Sequence, residues 1–279
     1  MKKIYFASAP WAGPSQLIEN VISQTPNKSG VWGTTTYTLN KNEADFILVQ
    51  DATYEDVDET KVIFTGREPK HVVGAYREWT KKSFGNFHHE KGNSWLPQNW
   101  WIKKSFEELQ SINPIKEKNL SIIDTGKRLT NYHNFRVDLI NKLSEKFGNK
   151  LDLYGNISGR VLTHRDKTIG LEKYRYNLAI ENGRTDFYFS EKFCDPILLL
   201  TCPIYSGCKK IDKFFPKGSY IEIDDTKSLD YNSDRIIEIS ESNYREENIE
   251  NIKEARHLIL NKYNIWNTLD LIVNTGKVI

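Results

Sequence analysis

A chain of 279 residues with 38% apolar and 12% aromatic side chains can fill two cores of ordinary size, which excludes a disordered chain and a disulfide-held miniature scaffold. Its 39 Lys and Arg face 37 acids, and a net charge of +2 creates no field that draws the whole chain to nucleic acid or an anionic membrane. No stretch approaches the roughly eighteen consecutive apolar residues that a spanning helix needs.

The opening MKKIYFASAPWAG places an apolar run behind two lysines, but Pro10 and Trp11 break it short of a secretory signal, so residues 2–8 read as a strand. A turn over 10–14 leads into a helix over 15–22 with Ser15 as its N-cap. After a Gly/Thr-rich stretch, residues 45–50 (DFILVQ) and 61–65 (KVIFT) are continuous apolar runs of the kind found in buried parallel sheets, and strands alternating with helices imply α/β layers. Residues 86–101, aromatic, His-containing and Pro-interrupted, read as an irregular loop. A short helix near Ser105 and a charged, Pro-containing connection to residue 118 read as the linker between domains.

A second α/β domain restarts with a strand at 120–124 (LSIID). A helix over 134–147 follows, with Phe135, Leu139, Ile140, Leu143 and Phe147 at helical spacing, and then a strand at 151–154. Residues 174–224 read as a buried strand at 176–180, a polar loop, a helix, a second strand at 203–205 with a Gly turn, and a third strand. One amphipathic helix is expected over 242–263. The organisation is therefore an N-terminal domain over 1–108, a C-terminal domain over 109–262, and a tail at 263–279 whose apolar stripe (265–273) returns to the first domain.

Cys194, Cys202 and Cys208 lie in one buried-looking segment without the close pairing of a zinc site, and read as reduced packing residues. Asp56-Val57-Asp58 mimics the Asp-x-Asp that chelates a metal-bound diphosphate in GT-A glycosyltransferases. It precedes its strand and sits in the acidic run 55–59, so a solvated loop is the better reading. His88-His89-Glu90 lacks a third ligand, and adjacent histidines seldom share one metal, so it reads as a loop lining an acceptor cleft. No metal or other cofactor is expected.

Five short motifs stand in order within about fifty residues: Tyr174-Arg175-Tyr176, Ile180-Glu181-Asn182, Tyr188-Phe189-Ser190-Glu191-Lys192, Pro203-Ile204-Tyr205-Ser206-Gly207 and Phe214-Phe215-Pro216-Lys217-Gly218-Ser219-Tyr220. In that order they resemble the donor-binding core of the α-1,3/α-1,4-fucosyltransferases, glycosyltransferase family ten. Departures are Ile180 where an aromatic is usual, Gly183 after Glu-Asn, an extra Gly218, and Cys194-Asp195-Pro196 inside the expected helix. Pro196 lacks an amide donor and should kink that helix or delay its start.

The resemblance implies a GT-B-like fold, two Rossmann-like α/β domains facing a cleft, and an inverting transfer of a sugar from a GDP-sugar, most simply GDP-fucose. It implies a glycan acceptor on a surface polysaccharide. Animal and plant members carry a membrane anchor, so a soluble, cytoplasmic bacterial or viral form is expected here. The departing diphosphate carries about two negative charges, which the N-terminus of the helix after Asn182, the Lys192 ammonium and a bidentate Arg136 can neutralise. Tyr188 and Glu191 match the family residues that hold the diphosphate region and the sugar or ribose hydroxyls. Glu181 and Asn182 belong to the same donor motif, and Lys167 and Tyr174 border the nucleotide. The family's general base follows an apolar strand, which Phe64-Thr65-Gly66-Arg67-Glu68-Pro69 ends here, so Glu68 is the candidate base. Two other readings stand beside this one: a related transferase acting on hydroxymethylated bases of phage DNA, a nucleic-acid acceptor that the net charge does not support, and a glycan-binding module without turnover.

Overall fold

The computed structural model describes residues 1–9, 12–69, 82–88, 100–148, 151–160, 162 and 166–278. They fall into two units, one made of Met1–Trp100, Lys104–Gln110 and Leu260–Ile279, the other of Trp101–Lys103 and Ser111–Ile259.

In the first unit β1 (Lys2–Phe6) is followed by α1 (Pro14–Ile22), β2 (Val31–Trp32), β3 (Thr35–Tyr37), β4 (Phe46–Gln50), β5 (Val62–Gly66), β6 (Gly85–His88) and α2 (Phe106–Ser111). The sheet runs β2-β3-β1-β4-β5-β6 and is parallel except for the β2–β3 pair. Alternate residues along each strand enter different cores, as the two-residue period of a strand requires. Ile4, Phe6, Leu48 and Ile63 pack with Leu17, Ile18 and Val21 of α1 and with Ile265, Trp266, Leu269 and Ile272 of the C-terminal helix. Tyr5, Ile47, Val49, Val62 and Phe64 form a second cluster. Because both faces are covered, these strands are apolar throughout, and their periodless runs were readable for that reason.

Local chemistry moves several boundaries. Helix α1 starts at Pro14 with Gly13 as N-cap, ahead of Ser15, because proline's fixed φ suits the first helical position, where no amide hydrogen is missed. The Gly/Thr-rich stretch folds as the β2–β3 hairpin. Asp270 of the C-terminal helix fastens it, its Oδ1 accepting from Thr34 N (2.9 Å), Thr34 Oγ1 (3.0 Å) and Thr35 Oγ1 (2.7 Å). Gly33, at φ +55°, turns this hairpin where a Cβ would lie 2.6 Å from Asp270 Oδ2.

The second unit contains β7 (Lys118–Ile123), α3 (Asn131–Phe147), β8 (Asp152–Tyr154), β9 (Tyr174–Ile180), α4 (Glu191–Leu198), β10 (Cys202–Ser206), β11 (Ile221–Glu222), α5 (Leu229–Glu241), α6 (Tyr244–Glu247) and α7 (Ile249–Leu260); α8 (Ile265–Thr275) is the C-terminal helix of the first. All its strands are parallel, in the order β11-β10-β9-β7-β8. Counted from the unit's own first strand this is the doubly wound order 2-1-3-4-5, whose switch point lies between β7 and β9. The parallel strands of the first sheet, β3-β1-β4-β5-β6, repeat that order.

Helix α3 starts at Asn131, three residues ahead of the apolar stripe, because Thr130 caps it by accepting from His133 N at 3.2 Å. Pro196 neither delays nor replaces α4. The helix starts at Glu191, takes Pro196 at its sixth position, and stops at Leu198, with Leu200 at φ +55° closing the turn. The single helix expected over 242–263 is two helices, α6 and α7, interrupted at Asn248, and α5 precedes them behind the N-cap Ser228. Cys194, Cys202 and Cys208 are free and buried. Among the described residues no helix is long and apolar enough to cross a membrane.

Candidate functional site

In a doubly wound sheet the connections on either side of the switch point leave to opposite faces and open a crevice outside the strand carboxyl ends. Here β7 ends in Ile123-Asp124 and β9 in Ile180-Glu181, and each leads through a loop to a helix N-terminus, that of α3 or of α4. A cavity of about 20 Å³ lies at this point, with apolar walls from Ile122, Ile140, Leu178 and Pro196 and with Asp124, Arg136, Lys167, Glu191, Lys192 and Asp195 around it. Six charged residues thus surround a space with room for one water.

Each charge has a defined holder. Asp124 Oδ1 accepts from Gly126 N at 2.6 Å, and its Oδ2 lies 2.5 Å from Arg136 Nε, whose N–H is not aimed at it, so that contact is ionic. Arg136 Nη1 donates to Ile180 O (3.3 Å), Glu181 O (3.3 Å) and Asn182 Oδ1 (3.0 Å). The guanidinium therefore brackets the ends of β7 and β9 together while it lines the cavity. Lys167 Nζ contacts Glu191 Oε1 at 3.2 Å and Asp195 Oδ2 at 3.0 Å. Lys192 Nζ is held more loosely, 3.6 Å from Glu191 Oε1 and 3.8 Å from Glu181 Oε2. Glu181 accepts from Ser190 N (2.7 Å) and Ser190 Oγ (2.6 Å), and Ser190 Oγ in turn accepts from Lys192 N (3.2 Å) as the N-cap of α4.

Burial sets the protonation pattern. It opposes the Glu191 carboxylate, but Lys167 and Lys192 outweigh it and hold that acid well below the usual range. Burial pushes Asp195 up to about 7 against the pull of Lys167, and Glu181 up to about 7 against the pull of Lys192. Lys167, which burial alone would lower, is raised by Glu191 and Asp195. On α3, burial followed by the charges of Arg136 and Lys192 pushes His133 down to about 4, so its ring is neutral near pH 7, with Nδ1 2.7 Å from Thr130 Oγ1.

Of the residues singled out from sequence, Arg136, Lys167, Glu181, Asn182, Glu191 and Lys192 come together here. Tyr174 does not join them. It opens β9 at the amino end, and its hydroxyl meets Tyr154 Oη at 2.8 Å and Lys118 Nζ at 3.4 Å. Tyr188, buried in the loop before α4, donates its main-chain N–H to Thr185 Oγ1 at 3.2 Å and is not on the cavity wall. Glu68 lies in the first unit, two residues past β5 and half-buried. Its neighbour Arg67 is fastened to Asp51 through N (2.6 Å), Nε (3.1 Å) and Nη2 (3.0 Å), so two acids, Asp51 and Glu68, stand at this strand end.

Asp58 caps the turn Glu59–Lys61 by accepting from Thr60 N (3.0 Å) and Oγ1 (2.6 Å), so its carboxylate is bound into its own loop, and the Asp56 main-chain carbonyl accepts from Lys41 Nζ at 2.5 Å. The main chain of His88 belongs to β6; His89, Glu90 and most of the loop expected at 86–101 lie outside the described residues. Among the described residues no group of three or more His, Cys, Asp or Glu could hold a metal ion. Sequence reasoning missed Asp124, His133 and Asp195. The available signals were an acid directly after a buried strand, a polar first turn of a helix, and an acid on the buried face of the motif helix.

Residues 116–247 match the family model described as glycosyltransferase family 10 (fucosyltransferase), C-terminal part. A putative fucosyltransferase-like protein of Arabidopsis thaliana is 27% identical over 136 residues, 46% of this chain and 25% of that protein. The alpha-(1,3)-fucosyltransferase FucT of Helicobacter pylori is 33% identical over 66 residues, 24% of this chain and 14% of that protein. The matched stretch thus spans a quarter or less of these relatives. A crystal structure of an alpha1,3-fucosyltransferase with GDP-fucose superposes with a TM-score of 0.50 at 18% identity, covering 89% of this chain and 81% of that one, which shows a shared GT-B fold. The family 10 likeness thus lies in the second unit, over residues 116–247.

Proposed function

We propose that this chain is a family 10 enzyme, an inverting glycosyltransferase that moves fucose from GDP-fucose to a hydroxyl of a glycan, a surface polysaccharide being the acceptor class. The observation that carries the reading is the set of cations at the β7–β9 switch point, buried Arg136 with half-buried Lys167 and Lys192, beside the N-termini of α3 and α4 and inside the family-matched stretch. A sugar nucleotide leaves behind a diphosphate, and cations fixed before the reaction stabilise that charge as it develops without having to reorganise.

In this reading Lys192, the loosely held ammonium, meets the diphosphate, and Arg136 with Asn182 supports it from the strand ends. Glu191, kept ionised by Lys167, accepts hydrogen bonds from ribose or sugar hydroxyls. The acceptor oxygen attacks the anomeric carbon while Glu68 takes its proton. The bond from that carbon to the phosphate oxygen breaks, and its electron pair leaves with GDP. One displacement inverts the anomeric centre. In this reading the diphosphate attracts the Lys192 ammonium away from the acids it now touches at 3.6 and 3.8 Å.

The test is thermal unfolding with GDP, UDP, CDP and their sugars, followed by transfer from GDP-fucose with the product's anomeric configuration read by NMR. A ligand at 100 times its dissociation constant should stabilise the protein by about 2.7 kcal/mol. Stabilisation by UDP and not by GDP, or a product with retained configuration, would overturn the assignment.

A further inference from the structure

Glu181 occupies a joint rather than a wall of the cavity. It follows the last residue of β9, is 0% exposed, and spends both carboxylate oxygens on Ser190 at 2.7 and 2.6 Å. Its main-chain oxygen accepts from Arg136 Nη1 at 3.3 Å. Gly207 leaves room for it, since a Cβ there would lie 2.4 Å from Glu181 Cγ. One residue therefore ties the end of β9 to Arg136 and to the first turn of α4, which carries Glu191 and Lys192.

The titratable groups that face this carboxyl come from three directions. Helix α4 presents Lys192, Glu191 and Cys194, α3 presents Tyr132, and β10 and the turn after it present Tyr205 and Cys208. Lys192 is the cation among them, at 3.8 Å, and it lines the cavity. Any anion that enters competes for the charge that keeps a buried carboxylate ionised.

We propose that Glu181 is a positioning residue of the donor site and that it takes up a proton when an anionic ligand draws the Lys192 ammonium away. The inference rests on the donor reading of the cavity. A proton from solvent adds to a Glu181 oxygen, turning carboxylate into carboxylic acid, and no bond to the ligand forms. The hydroxyl of Ser190, 2.6 Å away, can donate or accept, so the joint to α4 survives in both states. Burial lifts Glu181 to about 7 while Lys192 pulls the other way, so losing Lys192 moves it higher. Binding that consumes a proton is weakened as pH rises. Donor affinity should be flat below about pH 7 and fall above it by up to tenfold per pH unit.

The test is titration calorimetry with GDP-fucose, whose two phosphates are both esterified and do not titrate near neutrality, in buffers of different ionisation enthalpy. Wild type should take up about half a proton at pH 7 and approach one at pH 8. Glu181→Gln should bind with no uptake. Asp195, also lifted to about 7, keeps Lys167 at 3.0 Å, and the Glu181→Gln variant separates the two acids. Should that variant not fold, carbon-13 NMR of wild-type glutamate carboxyls gives the same answer: one titrates near 7 in the free protein and is protonated in the complex. Binding without buffer dependence, or equal uptake in Glu181→Gln, overturns the linkage and leaves the donor reading standing. Absence of GDP-fucose binding overturns the donor reading and the linkage with it.

Discussion

The two sheets share one strand order, yet their carboxyl edges are built from different chemistry. At the edge of the first, two acids are satisfied by their own neighbourhood: Asp51 by Arg67 at 3.0 Å, and Glu55 by Ser8 N at 2.5 Å and Tyr5 Oη at 2.8 Å. At the edge of the second, three cations and four acids crowd a buried crevice, with acids displaced in opposite directions, Glu191 downward and Glu181 and Asp195 upward. Topology supplies a crevice in both units, and side-chain charge decides what each can hold. Under the proposed function the second edge takes the diphosphate, and Glu68 at the first takes one proton.

The largest expected break in that contrast is Glu68→Gln. If the first edge supplies only the base, transfer should fall by about 10²- to 10⁴-fold and the rate should lose its acidic limb, with GDP affinity unchanged. Normal transfer would send the search to other acids of the first unit. Next is Lys192→Ala, which should lower kcat roughly a hundredfold, about 3 kcal/mol of transition-state stabilisation, while the melting temperature stays close to wild type. A loss below threefold would remove Lys192 from the site.

Glu55→Gln tests the structural part of the first edge, the acid held by Ser8 and Tyr5. Burial opposes the Glu55 carboxylate, and the hydrogen bonds from Ser8 and Tyr5 more than offset it, leaving its pKa below the ordinary value. A depressed acid stabilises above its unfolded pKa of about 4.3, and that contribution is lost as pH falls through the folded value. The variant should therefore be about 2 kcal/mol less stable than wild type at pH 7, with the gap closing below pH 4 in urea melts. A gap that does not depend on pH would contradict the sign. The smallest effect is expected from Tyr174→Phe, which removes a hydroxyl at the amino end of β9. GDP affinity should hold within about twofold while stability drops by about 1 kcal/mol. A tenfold loss of affinity would return Tyr174 to the donor site.

What the sequence made readable follows from range. The apolar runs of β4, β5 and β9 and the ordered motifs around α4 are local, and period and spacing reveal them. The β2–β3 hairpin was not legible because strands of two and three residues carry no period, and Asp270, which fastens it, stands more than two hundred residues away. Helix α5 was missed because its apolar residues are sparse and its start depends on the hydroxyl of Ser228. Arg136, Glu191 and Lys192 were singled out through motif and helix start, and they line one cavity. Asp195 looked like an interruption, since its meaning comes from Lys167, which precedes it by 28 positions and meets it only in three dimensions.

Helix α8 has a consequence for how the molecule is made. The core of the first unit contains Ile265, Trp266, Leu269 and Ile272, with the Trp266 indole donating to Val21 O at 2.9 Å, so residues synthesised before the second unit and residues synthesised after it share one interior. A ribosome emits the second unit, apart from residues 101–103, as the uninterrupted segment Ser111–Ile259 before that interior can close. The order of birth is thereby reversed: the half begun first must wait, its apolar sheet face uncovered, while the later half folds. A nascent chain stalled before codon 265 should resist protease in the second unit and be cut in the first.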